Sequence, residues 1–129
     1  MSSKILLDTC ALIWLATGSN ALSGAAKTAI AGARDVFVSS ISAFEIAYKH
    51  ATGGIHLPCD PEKWFHDVLK VHDIKEIELN STILIAAAAL PLIHKDPCDR
   101  FIIATAKLHS MLVATGDKLF KKYGITVIS

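Results

Sequence analysis

Residues 4–16 read KILLDTCALIWLA. Lys4–Leu7 is a short apolar run that fits a buried strand. Thr9–Ala16 follows with no loop between and fits a helix, with Asp8 placed as its N-cap. A strand that runs straight into a helix is the first half of a βαβ unit, and such units build parallel sheets. The same grammar returns along the chain. Val36–Val38 is β-branched and aromatic, a three-residue strand. Ser39 or Ser40 caps the helix after it, Ile41–Ala51, which Gly53 and Gly54 end. Leu112–Ala114 is another strand, and Gly116-Asp117 turns it into a short helix over 118–122. Ile125–Ile128 is the last strand.

The intervening segments fill in the helices. Ser23–Arg34 is alanine-rich and amphipathic. Residues 55–60 form a loop. Asp60-Pro61-Glu62 is a strong helix start, with proline at the first helical position and acid in the first turn. That helix runs to about Lys70. Ile74–Leu79 alternates like an edge strand. Asn80 or Ser81 opens Thr82–Leu90, and Pro91 stops it. Asp96-Pro97 opens Cys98–Ser110. The order β-α-α-β-α-α-β-α-α-β-α-β predicts an α/β three-layer sandwich, a mostly parallel central sheet flanked by helices.

The chain has 129 residues, the size of one domain, expected to span 1–129. Hydrophobic residues at 52% and charged residues at 19% exclude intrinsic disorder. The longest apolar run, Ile83–Ile93, is broken only by Pro91 and falls short of the ~20 residues that cross a bilayer. The first residues lack the layout of a signal peptide, because Asp8 cuts the apolar stretch soon after Lys4. Three scattered cysteines, Cys10, Cys59 and Cys98, argue against a disulfide scaffold and for a reducing, cytoplasmic setting. A net charge of +1 excludes a general coat for polyanions, so any nucleic-acid role needs a local basic patch.

Four acids stand in unusual places. Asp8 follows a strand and precedes a helix. Asp117 follows another strand, and taken alone it reads as a turn residue or cap. Asp99 comes three residues after the capping Asp96 and should lean toward the sheet, one turn from Ile102 and Ile103. Glu45 is mid-helix, able to pair with Lys49 at i,i+4. Yet Ile41 and Tyr48 share its face, and Phe44 and Ile46 flank it, so it should be half buried. A parallel sheet brings strand ends together, so the four acids should meet. Four carboxylates cannot share a pocket ionised without compensation. They are protonated there, or they hold a hard cation, and oxygen ligands select Mg²⁺ or Mn²⁺ over zinc. Such a site suits phosphodiester hydrolysis by metal-activated water.

The series LLDTCALIW, SAFEIAYK, HKDPCDRFIIATA and ATGDKLF resembles the motifs of PIN domains, and more narrowly those of VapC-type ribonuclease toxins. The likeness runs from Ile5 to Ile128. It implies a Mg²⁺- or Mn²⁺-dependent endoribonuclease that prefers single strands, forms homodimers and is silenced by a cognate VapB-type antitoxin. The family's catalytic acids fall on Asp8, Glu45, Asp99 and Asp117. Asp8 and Asp99 would be the principal metal ligands, and Glu45 and Asp117 would complete the pocket. Thr9 and Thr115 would be supporting hydroxyls. Lys49, Arg100 and Lys118 would contact RNA phosphate. Phe44 stands where many members carry Trp, and Cys98 stands where Phe is common. Cys10 and Cys98 put thiols beside the pocket, where oxidation or soft metals could inhibit.

His94 and Cys98 have i,i+4 spacing but no second ligand pair for zinc, and the remaining histidines are isolated. Trp14 and Trp64 read as core or dimer packing rather than base stacking. The helix 82–90, apolar nearly all round, is fully buried or lies in a subunit interface. A phosphatase using Asp8 as nucleophile wants a second Asp two residues on, where Cys10 stands. A catalytically silent PIN-like module for binding or dimerisation is the non-enzymatic alternative. All four acids are present, which counts against it.

Overall fold

The computed structural model describes residues 3–129. Its elements in chain order are β1 (Lys4–Leu7), α1 (Thr9–Thr17), α2 (Gly24–Gly32), β2 (Asp35–Ser39), α3 (Ser40–Ala51), α4 (Pro61–Val71), β3 (Ile74–Ile77), α5 (Ser81–Ala89), α6 (Pro97–His109), β4 (Leu112–Ala114), a 3₁₀ turn (Phe120–Tyr123) and β5 (Val127–Ile128). The five strands form one sheet in the order β3-β2-β1-β4-β5. Every pairing is parallel, with Leu6 beside Phe37 on one side and Val113 on the other.

Alternation along β1 decides the two faces of the sheet. Ile5 and Leu7 point into a core with Leu12, Ile30, Ile46, Trp64 and Phe65, supplied by α1, α2, α3 and α4. Leu6 points the other way, onto Ile102, Ile103, Val113, Phe120 and Tyr123. A strand buried on both faces reads as a continuous apolar run, as KILL does.

Local chemistry sets the boundaries. The side chains of Asp8, Ser23, Ser39, Asp60, Asn80 and Asp96 cap the helices that follow them. α2 ends two residues before the expected Arg34, because the Arg34 N–H is drawn off to the Ser3 carbonyl. β3 is an edge strand but stops at Ile77, and the Leu79 N–H turns to the Ser40 hydroxyl instead of the ladder. The short helix expected at 118–122 is a 3₁₀ turn over Phe120–Tyr123, closed by Gly124 in the left-handed region at φ 78°. β5 keeps only Val127 and Ile128 of the expected four residues.

The neighbours of β1 fix the site. From β1 the chain steps outward to β2 and β3, then crosses back to lay β4 against the other side of β1. β1 and β4 therefore flank the point where the winding reverses. The crevice beyond their C-terminal ends is where open α/β sheets place ligands. Asp8 lies directly beyond β1, and Thr115 to Asp117 lie directly beyond β4.

α5 is neither fully buried nor fully exposed. Ile83 and Ala87 are buried against α6, while Leu84 and Ile85 face outward with Leu92 and Leu108. Trp64 is buried in the core. Trp14 is half-buried under the turn after β4, so close that a Cβ on Gly116 would come within 3.0 Å of its ring. Among the described residues, no helix is long and apolar enough to cross a membrane.

Candidate active site

Asp8 is buried, and both its carboxylate oxygens are engaged. Oδ1 accepts from the Ala11 N–H at 2.7 Å, the capping bond of α1. Oδ2 accepts from the Thr115 hydroxyl at 2.5 Å. The Thr115 oxygen also accepts from the Asp117 N–H at 3.0 Å, so one hydroxyl ties the ends of β1 and β4 together. The Asp8 N–H donates to the Ala114 carbonyl, extending the β1–β4 ladder up to the acid.

Glu45 is half-buried on α3 and accepts from the Thr9 hydroxyl at 2.5 Å. The Thr9 oxygen lies 2.8 Å from that of Ser42, which is fully buried one turn before Glu45. Asp99 sits in the first turn of α6. Its Oδ2 lies 3.1 Å from His94 Nε2, and Asp117 Oδ2 lies 2.7 Å from the same nitrogen. These three ligand atoms all fall within 4.8 Å of one another. His94 Nδ1 accepts from the Asp96 N–H at 3.2 Å. A ring nitrogen that accepts leaves the proton on the other, so Nε2–H is the atom aimed at Asp99 and Asp117.

Three of these acids, Asp8, Glu45 and Asp99, are held above the ordinary carboxylate range. Burial raises the Asp8 carboxyl above its ordinary range, and nearby Glu45 and Asp117 add to the rise, against the hydrogen bonds from Thr115 and Ala11. Burial likewise raises Glu45. Asp99 is pushed up to about 7 by burial, by Asp96, and by Glu45 and Asp8. The pocket is therefore a place where negative charge is concentrated and under-compensated. With its Nδ1 accepting from Asp96 and its Nε2 carrying the proton, His94 offers no lone pair, so the available ligands are carboxylate oxygens, a set suited to a hard divalent cation.

A raised pKa has a stability consequence with a definite sign. Between about pH 4 and pH 7 folded Asp99 holds a proton that the unfolded chain has released. Metal-free protein should therefore melt at progressively higher temperature as pH falls from 8 to 5, by several degrees in all. Saturating Mn²⁺ should reverse the slope, since protons and metal compete for the same oxygens. A pH series of melting curves in chelator and in Mn²⁺ checks both signs. A flat metal-free profile would contradict them.

The remaining sequence candidates divide. Lys49 lies on α3 close enough to Glu45 to oppose its rise. Lys118 is exposed beside Asp117. Arg100 does not face the pocket, which corrects the phosphate contact expected of it. It is buried, with Nη2 donating to the Ala87 and Leu90 carbonyls at 2.8 and 2.9 Å. Its Nη1 donates to the Pro91 and His94 carbonyls at 3.0 and 3.2 Å. The cause is the end of α5, where Pro91 halts the helix and carbonyls lose their i+4 helical donors.

The surroundings of Glu45 also differ from expectation. Its neighbours Phe44 and Tyr48 are exposed. Cys10 is exposed and Cys98 half-buried. Burial pushes both thiols up, Cys98 to about 11, and the adjacent carboxylates reinforce it. Neither sulfur joins a three-ligand cluster among the described residues. Both are protonated at neutral pH, which works against the oxidation and soft-metal sensitivity expected of them.

Two polar residues at the site were not singled out from the sequence. Ser42 had a signal in its place one turn before Glu45 on the same inward face. His94 opens the HKDPCDR run, and its signal was that position rather than zinc-like spacing.

The sequence model of the PIN domain matches residues 5–125. The chain is 29% identical over 122 residues to "Ribonuclease VapC22" of Mycobacterium tuberculosis (strain ATCC 25618 / H37Rv), covering 94% of this chain and 92% of the relative. Its fold is shared with a structure of VapBC2 from Rickettsia felis bound to a DNA fragment from their promoter. That likeness has a TM-score of 0.71 and 14% identity, over 97% of each chain. A toxin-antitoxin complex from Klebsiella pneumoniae is similar at TM-score 0.68 and 20% identity, over 97% of this chain and 96% of that one. With its parallel sheet, acidic crevice at the winding reversal and match over most of its length, this chain belongs to the PIN domain family.

Proposed function

We propose that this protein is a divalent-metal-dependent endoribonuclease and the toxin of a toxin–antitoxin pair. The convergence of Asp99, Asp117 and His94 within 4.8 Å, beside buried Asp8 and half-buried Glu45, carries the reading. The relative that is named a ribonuclease, and the solved complexes of similar fold, supply its context. Asp8 and Asp99 would hold the metal, Mg²⁺ or Mn²⁺, with Glu45 and Asp117 secondary. When bound, the metal supplies a hydroxide near neutral pH and offsets charge growing on the phosphate.

The chain's own residues prepare that chemistry. Thr115 and the Ala11 N–H fix the Asp8 oxygens in one orientation. Thr9, held by Ser42, does the same for Glu45. His94 Nε2–H spans Asp99 and Asp117, so it acts as a positioning residue for both. Lys49 and Lys118 would serve as phosphate contacts beside Glu45 and Asp117. Pre-set donors of this kind need no reorganisation when charge develops.

The partners follow from the same reading. RNA is the substrate, and a VapB-type antitoxin is the inhibitor that covers the acidic crevice. Exposed aliphatic side chains on α5 (Leu84, Ile85), just after it (Leu92) and on α6 (Leu108) support a homodimer. The protein would act in the cytoplasm.

The test uses protein freed of any co-purifying partner and a panel of quenched fluorescent single-stranded RNAs. Cleavage is expected in Mg²⁺ or Mn²⁺ and none in EDTA. A folded protein that binds Mn²⁺ and cuts no RNA of the panel would favour the silent-module reading. Release of inorganic phosphate from a phosphomonoester would favour the phosphatase.

A further inference from the structure

We propose that Phe44 and Tyr48 form a stacking platform for a nucleobase of the RNA strand, set beside the acidic crevice. This rests on the nuclease reading and deepens it, by naming what grips the strand next to the bond that is cut. The two rings lie one turn apart on α3, with centroids 5.8 Å apart and planes inclined by 21°. They are 58% and 60% exposed. An open aromatic pair offers a flat apolar face whose covering by a ligand would bring a large burial gain.

Their position gives the platform its meaning. α3 winds 100° per residue, so Glu45 stands one step round from Phe44, and Tyr48 lies between the two directions. Lys49 is the next residue, and its ammonium lies close enough to act on Glu45. One helical turn thus offers a flat π surface, a cation for phosphate and a carboxylate of the acidic pocket. Aromatic rings interleaved with a basic side chain suit single-stranded nucleic acid, because every base has a π face and every linkage a charge. The spacing of the rings leaves no room for a base between them. A base would lie on the outer face of one ring, with the strand then passing Lys49 into the crevice.

The other exposed apolar face has different chemistry. Leu84, Ile85, Leu92 and Leu108 are aliphatic, offer area without a π face, and include none of the pocket acids. That surface suits a protein partner. The α3 pair is aromatic and sits on the helix that carries Glu45 and Lys49, which suits the substrate.

The experiment measures two quantities for wild type, Phe44→Ala, Tyr48→Ala and Phe44→Trp. One is cleavage kinetics on a short single-stranded RNA, and the other is fluorescence anisotropy of the same RNA, labelled, in Ca²⁺. Each alanine variant is expected to raise KM and the RNA Kd on the order of tenfold, with a much smaller change in kcat at saturation. Phe44→Trp is expected to restore wild-type values. Replacing bases one at a time by abasic riboses should reveal a position whose loss weakens wild type by a similar factor. The same replacement should cost the alanine variants little more, as non-additive pairs do. Unchanged KM and Kd in folded alanine variants would overturn the proposal. So would RNA affinity kept while the variants lose self-association, which would assign the pair to a protein interface. If wild type binds RNA through these rings yet cuts nothing in any metal, the nuclease reading fails and the platform stands.

Discussion

Asp99→Asn is expected to abolish metal-dependent RNA cleavage, by on the order of a thousandfold or more, while raising the melting temperature of the metal-free protein. Both effects follow from one carboxylate. Its Oδ2 lies 3.1 Å from His94 Nε2, in the cluster with Asp117. Burial and its acidic neighbours hold it up at about 7, so the folded protein resists ionising it. Asparagine keeps the shape and removes the charge. One charged ligand fewer should weaken metal binding and the stabilisation of charge on the phosphate, a contribution of several kcal/mol at a metal centre. Each 1.36 kcal/mol is tenfold in rate, so about 4 kcal/mol gives that thousandfold. Without metal the same change removes an unfavourable charge, so stability at pH 8 should rise and its pH dependence flatten. Single-turnover cleavage, Mn²⁺ titration calorimetry and metal-free melting curves at pH 5 and pH 8 check the three parts. Full activity, or a variant that melts lower without metal at pH 8, would contradict the account.

The sequence revealed more of the site's frame than of its inner wiring. Each strand-to-helix junction is a local event, decided by an apolar run and a capping Asp or Ser, so KILLDTC could be read without the rest of the molecule. That Asp8 and Asp117 lie at one edge follows from a topological rule, because a parallel sheet carries the residues beyond its strands to one edge; α3 and α6 bring Glu45 and Asp99. The hydrogen bonds that orient the acids were not legible. Thr115 reaches Asp8 across 107 positions, and Thr9 reaches Ser42 and Glu45 across more than thirty. No spacing rule sees such a pair before the sheet closes. The His94 ring was obscure for another reason. Its role depends on which nitrogen carries the proton, and the Asp96 N–H decides that. The exposure of Phe44 and Tyr48 was hidden too, since helical periodicity finds a face and does not say what covers it.

Arg100 is the residue whose loss should damage the fold most. Arg100→Ala is expected to destabilise the protein by about 4 kcal/mol, lowering the melting temperature on the order of 15 °C. The guanidinium is buried and donates to four carbonyls, those of Ala87, Leu90, Pro91 and His94. Three of these, Ala87, Leu90 and Pro91, lie at or just beyond the end of α5, where the helix dipole is negative and the i+4 N–H donors of the helix run out. Alanine would strip the Leu90 and His94 carbonyls of their donor and weaken the ties to Ala87 and Pro91, which keep the Leu90 N–H and the Tyr123 hydroxyl; each orphaned group costs about 1–3 kcal/mol before relaxation or entering water offsets part of it. Arg100→Met would refill the volume without the donors and should recover little. Arg100→Lys keeps the charge, but one ammonium cannot copy a planar fork, so it should recover less than half. The damage should reach the site by a short route. The segment from Pro91 to His94 is held from one side by Arg100. From the other it is held by the Tyr123 hydroxyl, which accepts from the His94 N–H at 2.7 Å and donates to the Pro91 carbonyl at 2.8 Å. Freeing that segment frees the ring that spans Asp99 and Asp117, so kcat should fall at temperatures where the variant remains folded. A phosphate-contacting arginine would behave otherwise. Its loss would raise KM and flatten the salt dependence of RNA binding, with the melting temperature unmoved. Melting curves and salt-dependent KM on the same three variants separate the two roles.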